Sequence, residues 1–154
     1  MNPAWDAITD VLRLITPSLV TMLLGAFVVQ RFFVARANEA ALIDFLIKEL
    51  DELRADALEY WTLPADTKEH KLRKVVLAQK IKGAIKVFSS DVGYFCHRYC
   101  KKKTTEMERL LVEVSDACTG GDFESSIGTV DPGRYISVVN TINRVKSELL
   151  RRKL

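Results

Sequence analysis

Leu14 to Gln30 reads LITPSLVTMLLGAFVVQ, seventeen residues without a charge. Arg31 interrupts the run, and Phe32-Phe33-Val34-Ala35 extend it to Arg36. Taken through Ala35 the stretch is 22 residues. As an α-helix it is roughly 33 Å long, enough for the hydrocarbon core of a bilayer. Arg31 then sits near one end, where its stem reaches the headgroups. Its twelve Leu, Ile, Val and Phe residues favour insertion by roughly 4 to 7 kcal/mol before Pro17, Ser18, Thr21 and Gln30 are set against them. A core helix of a chain this small has little use for so long an apolar run. A cleaved leader fits less well, because Asp6 and Asp10 precede the run with only Arg13 among them. The stretch therefore predicts a retained transmembrane helix over residues 14–35, with residues 1–13 as a short extracytoplasmic segment. Within it, Thr21 and Gly25 give a small-x-x-x-small spacing, and Gln30 offers an interhelical hydrogen bond, a pattern that favours self-association in the bilayer.

The flanks set the orientation. Arg31 and Arg36 follow the run and Arg13 alone precedes it, so the positive-inside rule puts the C-terminal part in the cytoplasm. All three cysteines lie in that part, an odd number that makes no disulfide framework and suits a reducing compartment. The chain as a whole has 154 residues, 48% apolar and 28% charged, with a net charge of +3. That balance excludes a disordered or low-complexity class and leaves room for one further core.

Residues 38–154 read as helices throughout, and no stretch alternates with the period of a strand. Leu42, Phe45, Leu46, Leu50, Leu53, Ala57, Tyr60 and Trp61 recur every three or four residues, one apolar face of a first helix. Leu63-Pro64-Ala65-Asp66 ends it, and Asp66 with Glu69 predicts the cap of a second helix running to about Lys102. That helix carries Leu72, Val76, Leu77, Ile81, Ile85, Phe88, Val92, Phe95 and Tyr99, with a kink expected at Ser89-Ser90-Asp91 and Gly93. Thr105 and Glu108 predict a capping box for a third helix with Met107, Leu110, Leu111 and Val114, stopped by Gly120-Gly121. Asp131-Pro132 opens a fourth, burying Tyr135, Val138, Val139, Ile142, Val145 and Leu149. The expected fold is all-α: one N-terminal transmembrane helix followed by a cytoplasmic four-helix bundle.

Chemistry-bearing patterns are few. Cys96-His97-x-x-Cys100 lacks a fourth ligand and a turn to converge it, so buried cysteines are the simpler reading and no metal is expected. Gly120-Gly121-Asp122 has no Lys-Ser/Thr after it and caps a helix better than it cradles phosphate. Neither a cofactor nor catalysis is expected. The richer signal is basic: between Lys68 and Lys86 seven cations face one Glu69. Lys71, Lys74, Lys82 and Lys86 are candidate partner-binding residues toward a cytosolic protein or a nucleic acid. The same charges can instead meet lipid headgroups, or pair within the bundle with the acidic helix from Glu39 to Glu59.

An apolar anchor, then IDFLIKELDELRADALEYW from Ile43, then ACTGGDFES from Ala117 resembles small single-pass bacterial membrane effectors of anti-phage systems, of the retron type or related abortive-infection type. The resemblance implies an inner-membrane effector that a partner complex, a cytosolic protein or protein–nucleic-acid sensor, keeps silent. Released, it forms homo-oligomers and disrupts the bilayer. The residues themselves leave a second class open, a non-toxic membrane-tethered adaptor that recruits its partner through the basic helix.

Overall fold

The computed structural model describes residues 3–99, 104–124 and 130–153, with side chains described from Thr21 onward except at Thr104. It contains four α-helices, α1 (Pro3–Thr62), α2 (Lys68–Tyr99), α3 (Thr104–Thr119) and α4 (Pro132–Lys153), and no strand among the described residues. The expected apolar span and the first bundle helix are one element, since α1 begins eleven residues before Leu14 and runs unbroken to Thr62. The chain divides into two compact units, Met1–Glu39 and Ala40–Leu154.

In the first unit every side chain from Thr21 to Asn38 is exposed. Met22, Leu23, Val28 and Phe33 are each more than 60% exposed. Arg31 lies over the Phe27 ring at 5.0 Å and Arg36 over Phe32 at 6.0 Å, each one turn back along the helix. Among the described residues no helix is long and apolar enough to cross a membrane. The first seven residues of the expected span, 14–20, and the expected segment 1–13 lie outside the described side chains.

The second unit is a four-helix bundle formed by the Ala40–Thr62 part of α1 with α2, α3 and α4. Ion pairs between neighbours fix the directions. Arg73 pairs with Glu59 and Lys80 with Asp56, so α2 runs back along α1. Lys146 pairs with Asp51 and Lys153 with Asp44, so α4 also opposes α1. Arg144 pairs with Glu113 and Arg134 with Asp116, so α4 runs back along α3. The order is up-down-up-down. Ile43, Leu46, Leu50 and Leu53 of α1 meet Ile81, Phe88 and Phe95 of α2, Met107 and Val114 of α3, and Ile142 and Leu149 of α4. These side chains are at most 2% exposed, and each large one contributes about 1.5 to 3 kcal/mol.

Several expectations are corrected. Helix α2 passes through Ser89, Ser90 and Gly93 without a break, because Phe88, Val92 and Phe95 are buried on both sides of them. Its cap is Thr67, one residue after Asp66: Thr67 Oγ1 accepts the His70 N–H at 3.1 Å, while Asp66 turns to the His70 ring at 2.6 Å. That bond holds the Asp66 carboxyl below its ordinary range. Helix α3 opens at Thr104, which leaves Thr105 inside the first turn. Leu72 and Val76 are 67% and 60% exposed, Phe45 48% and Tyr135 40%, so none belongs to the core. Ile43, absent from the expected face, is fully buried. The cap at Asp131 holds as expected, its carboxylate accepting the Arg134 N–H at 3.0 Å.

Candidate functional site

Helix α2 carries the basic candidates, and folding treats them unequally. Lys74 is 7% exposed, with its ammonium 5.1 Å from the Tyr60 ring, and burial lowers its pKa. It is part of the packing and not of a docking surface. Lys82 is bound to Glu124 at 2.5 Å. Lys71 and Lys86 are exposed, as is Lys68, and none of the three has an ion pair among the described residues. The helical period puts Lys68, Lys71, Lys82 and Lys86 on one flank. The intramolecular reading holds for two other cations, since Arg73 and Lys80 go to Glu59 and Asp56. Those hydrogen-bonded carboxylates raise the pKa values of both cations.

The remaining acids of α1 pair elsewhere. Asp51 and Asp44 meet Lys146 and Lys153 of α4 at 2.8 and 2.7 Å. Glu39 and Glu49 are the exceptions, and Glu49 faces Asp91. Burial, and then repulsion from Asp91, push its carboxyl above the ordinary range, and its Oε2 is buried without a hydrogen-bond partner.

On α1 the three candidate self-association residues do not converge. Thr21 and Gly25 share a face, and the space around Gly25 is open. Gln30 lies nine residues beyond Thr21, two and a half turns, and therefore on the opposite side.

Residues 117–124 form a latch at the C-terminal end of α1, whose anchors are absent from the expected site residues. Trp61 donates its indole N–H to the Cys118 carbonyl at 3.1 Å, buried. Gly120 closes α3 with a 2.7 Å bond to the Asp116 carbonyl, and Gly121 turns the chain at φ +66°. Arg134 of α4 donates to the same Asp116 carbonyl at 3.0 Å. Phe123 then packs on Tyr60 and Trp61, its ring 4.7 and 6.2 Å from theirs. Glu124, itself at φ +67°, donates its N–H to the Tyr60 hydroxyl at 2.8 Å while its carboxylate receives Lys82. The adjoining Tyr-Trp pair ending an apolar helix was the available signal, because each ring has a polar tip that asks for a partner. Beside this latch lies a half-open cavity of about 470 Å³, bordered by Tyr60, Lys71, Lys74 and Val75.

Cys96 faces the core and His97 faces out, so they do not act together. Cys100 lies outside the described residues. Burial pushes the Cys118 thiol up to about 12, which keeps it protonated at neutral pH and unreactive. Among the described residues no three His, Cys, Asp or Glu side chains gather as a metal site. Compared with family models, curated proteins and solved structures, the chain matches none.

Proposed function

We propose that this chain is a non-enzymatic membrane effector, anchored by the N-terminal part of α1, that acts by assembling in a bacterial inner membrane. The observation that carries it is the apolar surface from Met22 to Val34. Leu24, Phe27, Val29 and Phe32 are 60%, 54%, 53% and 61% exposed, around all sides of the helix. A helix that is apolar all round needs an apolar surrounding, and the 22-residue stretch 14–35 to which this surface belongs has the length of a bilayer's hydrocarbon core. The flanking arginines orient the bundle toward the cytoplasm. One span per chain makes no pore, so disruption of the membrane requires several copies. Restraint by a sensor complex requires differential binding to the silent state, about 5.5 kcal/mol for a full switch. The anti-phage setting comes from the resemblance in layout.

The test is extraction and toxicity. The full chain should stay with the membrane pellet in alkaline carbonate, and induced expression alone should stop growth. Leu24→Arg should be released from the pellet and harmless. Wild-type chain in the carbonate supernatant would end the reading.

Lys68, Lys71 and Lys86 support the adaptor as a second reading, because exposed cations without an internal counter-ion suit an acidic partner. Under it, wild-type expression is harmless, and Lys71→Glu with Lys86→Glu abolishes capture of the partner. Lys74 is left out of that pair, since reversing a buried charge disturbs the fold.

A further inference from the structure

Helix α2 is apolar on two opposite faces. One contains Leu77, Ile81, Phe88 and Phe95 and is consumed by the core. The other, half a turn away, runs Leu72, Val76, Gln79, Gly83, Val87, Ser90 and Tyr94, stepping by three or four as a helix–helix seam does. Its large members are 53% to 67% exposed. Gly83 is the midpoint. Leu72 and Tyr94 lie eleven residues to either side, Val76 and Ser90 seven, Gln79 and Val87 four. A Cβ added at Gly83 would meet nothing within 4 Å, so the backbone there is open to close approach.

We propose that this outward face of α2 is the surface through which two copies of the chain associate, with Gly83 of one copy crossing Gly83 of the other. A stripe small at its centre and bulky toward both ends fits itself about a two-fold axis, the symmetry of an isologous contact. Without a Cβ at the crossing the two backbones come close, and Val76, Val87 and Tyr94 of each copy close over the neighbour. One flank carries exposed charges of both signs, Glu69 and Arg98, and does not repel its own copy, while Lys80 beside them is neutralised by Asp56 of α1. The other flank, with Lys68, Lys71 and Lys86, stays in water when the helices cross.

A single helical stripe covers less than the ~800 Å² per partner of a standard free-standing interface. Association therefore depends on a high local concentration, which a shared bilayer supplies. The inference thus rests on the membrane-anchored assembly proposed above and names its contact.

The test is disulfide trapping of the full chain in isolated bacterial membranes. Gly83→Cys should give a cross-linked dimer at least tenfold above the background of the native cysteines. Val112→Cys, equally exposed on α3, should stay at background. Gly83→Leu should raise the thermal midpoint of the chain by a few degrees, because an exposed helical glycine is replaced by a helix former, and yet lower dimer formation several-fold, as read with an amine-reactive cross-linker. A destabilised fold would move both readouts down together. Gly83→Cys at background, or Val112→Cys cross-linking as well as Gly83→Cys, overturns the proposal. If membrane damage persists while Gly83→Cys stays at background, the effector reading survives and this face is not its contact.

Discussion

Trp61 shows how much one buried donor settles. Its indole N–H reaches the Cys118 carbonyl at 3.1 Å, a bond that ties the end of α1 to the end of α3. Trp61→Phe keeps most of the ring and orphans that carbonyl, and should lower stability by about 1 to 3 kcal/mol in a denaturant titration. Glu49 works the other way. Its folded pKa is raised, so the folded state holds the proton better than the unfolded chain does. What it contributes is present below the unfolded carboxyl pKa and lost as pH rises through the folded one. Glu49→Gln should therefore gain about 0.5 kcal/mol at pH 7, a figure reduced for solvent screening. The gain should vanish below about pH 4, where Glu49 is protonated in both states. Unfolding midpoints at the two pH values check it. Lys74 and Lys71 lie three residues apart in the basic run and are opposite in consequence. Lys74→Glu should cost about 2 kcal/mol or more, because it buries an acid. Lys71→Glu should stay within about 0.5 kcal/mol of wild type. Burial separates the two, and a count of charges along the chain does not contain burial.

At the scale of the element, each helix was legible where a single apolar stripe met a recognisable stop. The stretch from Leu46 through Leu53 and Ala57 to Trp61 reads as one face and folds as one. So does Val138, Ile142, Val145 and Leu149 in α4. Helix α2 misled because it is apolar on two faces. Leu72 and Val76 belong to the outer stripe, Leu77 and Ile81 to the inner, and both stripes step by three or four. Periodicity alone has no means to choose between them; the neighbouring helices choose. The expected kink failed for a related reason, since the weak helix preference of Ser89, Ser90 and Gly93 costs less than Phe88, Val92 and Phe95 gain by packing. Thr67 displaced Asp66 as cap because Asp66 found the His70 ring. The Gly120-Gly121 stop was readable, and its demand is testable. At φ +66°, Gly121→Ala should cost about 1 to 2 kcal/mol, seen as a lowered thermal midpoint.

The whole molecule joins an exposed, apolar stretch to a packed bundle that keeps one apolar face of α2 outside, within one 60-residue helix. The all-helical architecture was legible from the absence of strand-period segments and from the capping residues. The latch was not, because its contacts join Tyr60 to Phe123 and Glu124, more than sixty residues apart, and local pattern carries no information at that range. The spacing of the basic run did not reveal which of its lysines folding leaves exposed. Lys71 and Lys86 are exposed, while Lys74 and Lys82 are used internally. If the apolar stretch acts in a membrane and damages it when unrestrained, the chain alone should collapse the potential across that membrane. Membrane potential tests it most directly, followed with a potential-sensitive dye in bacterial cells after induction of this chain alone, beside Leu24→Arg at equal expression. The wild type should depolarise the cells within the induction period and the variant should not. An unchanged potential with the wild-type chain confirmed in the membrane fraction would contradict it.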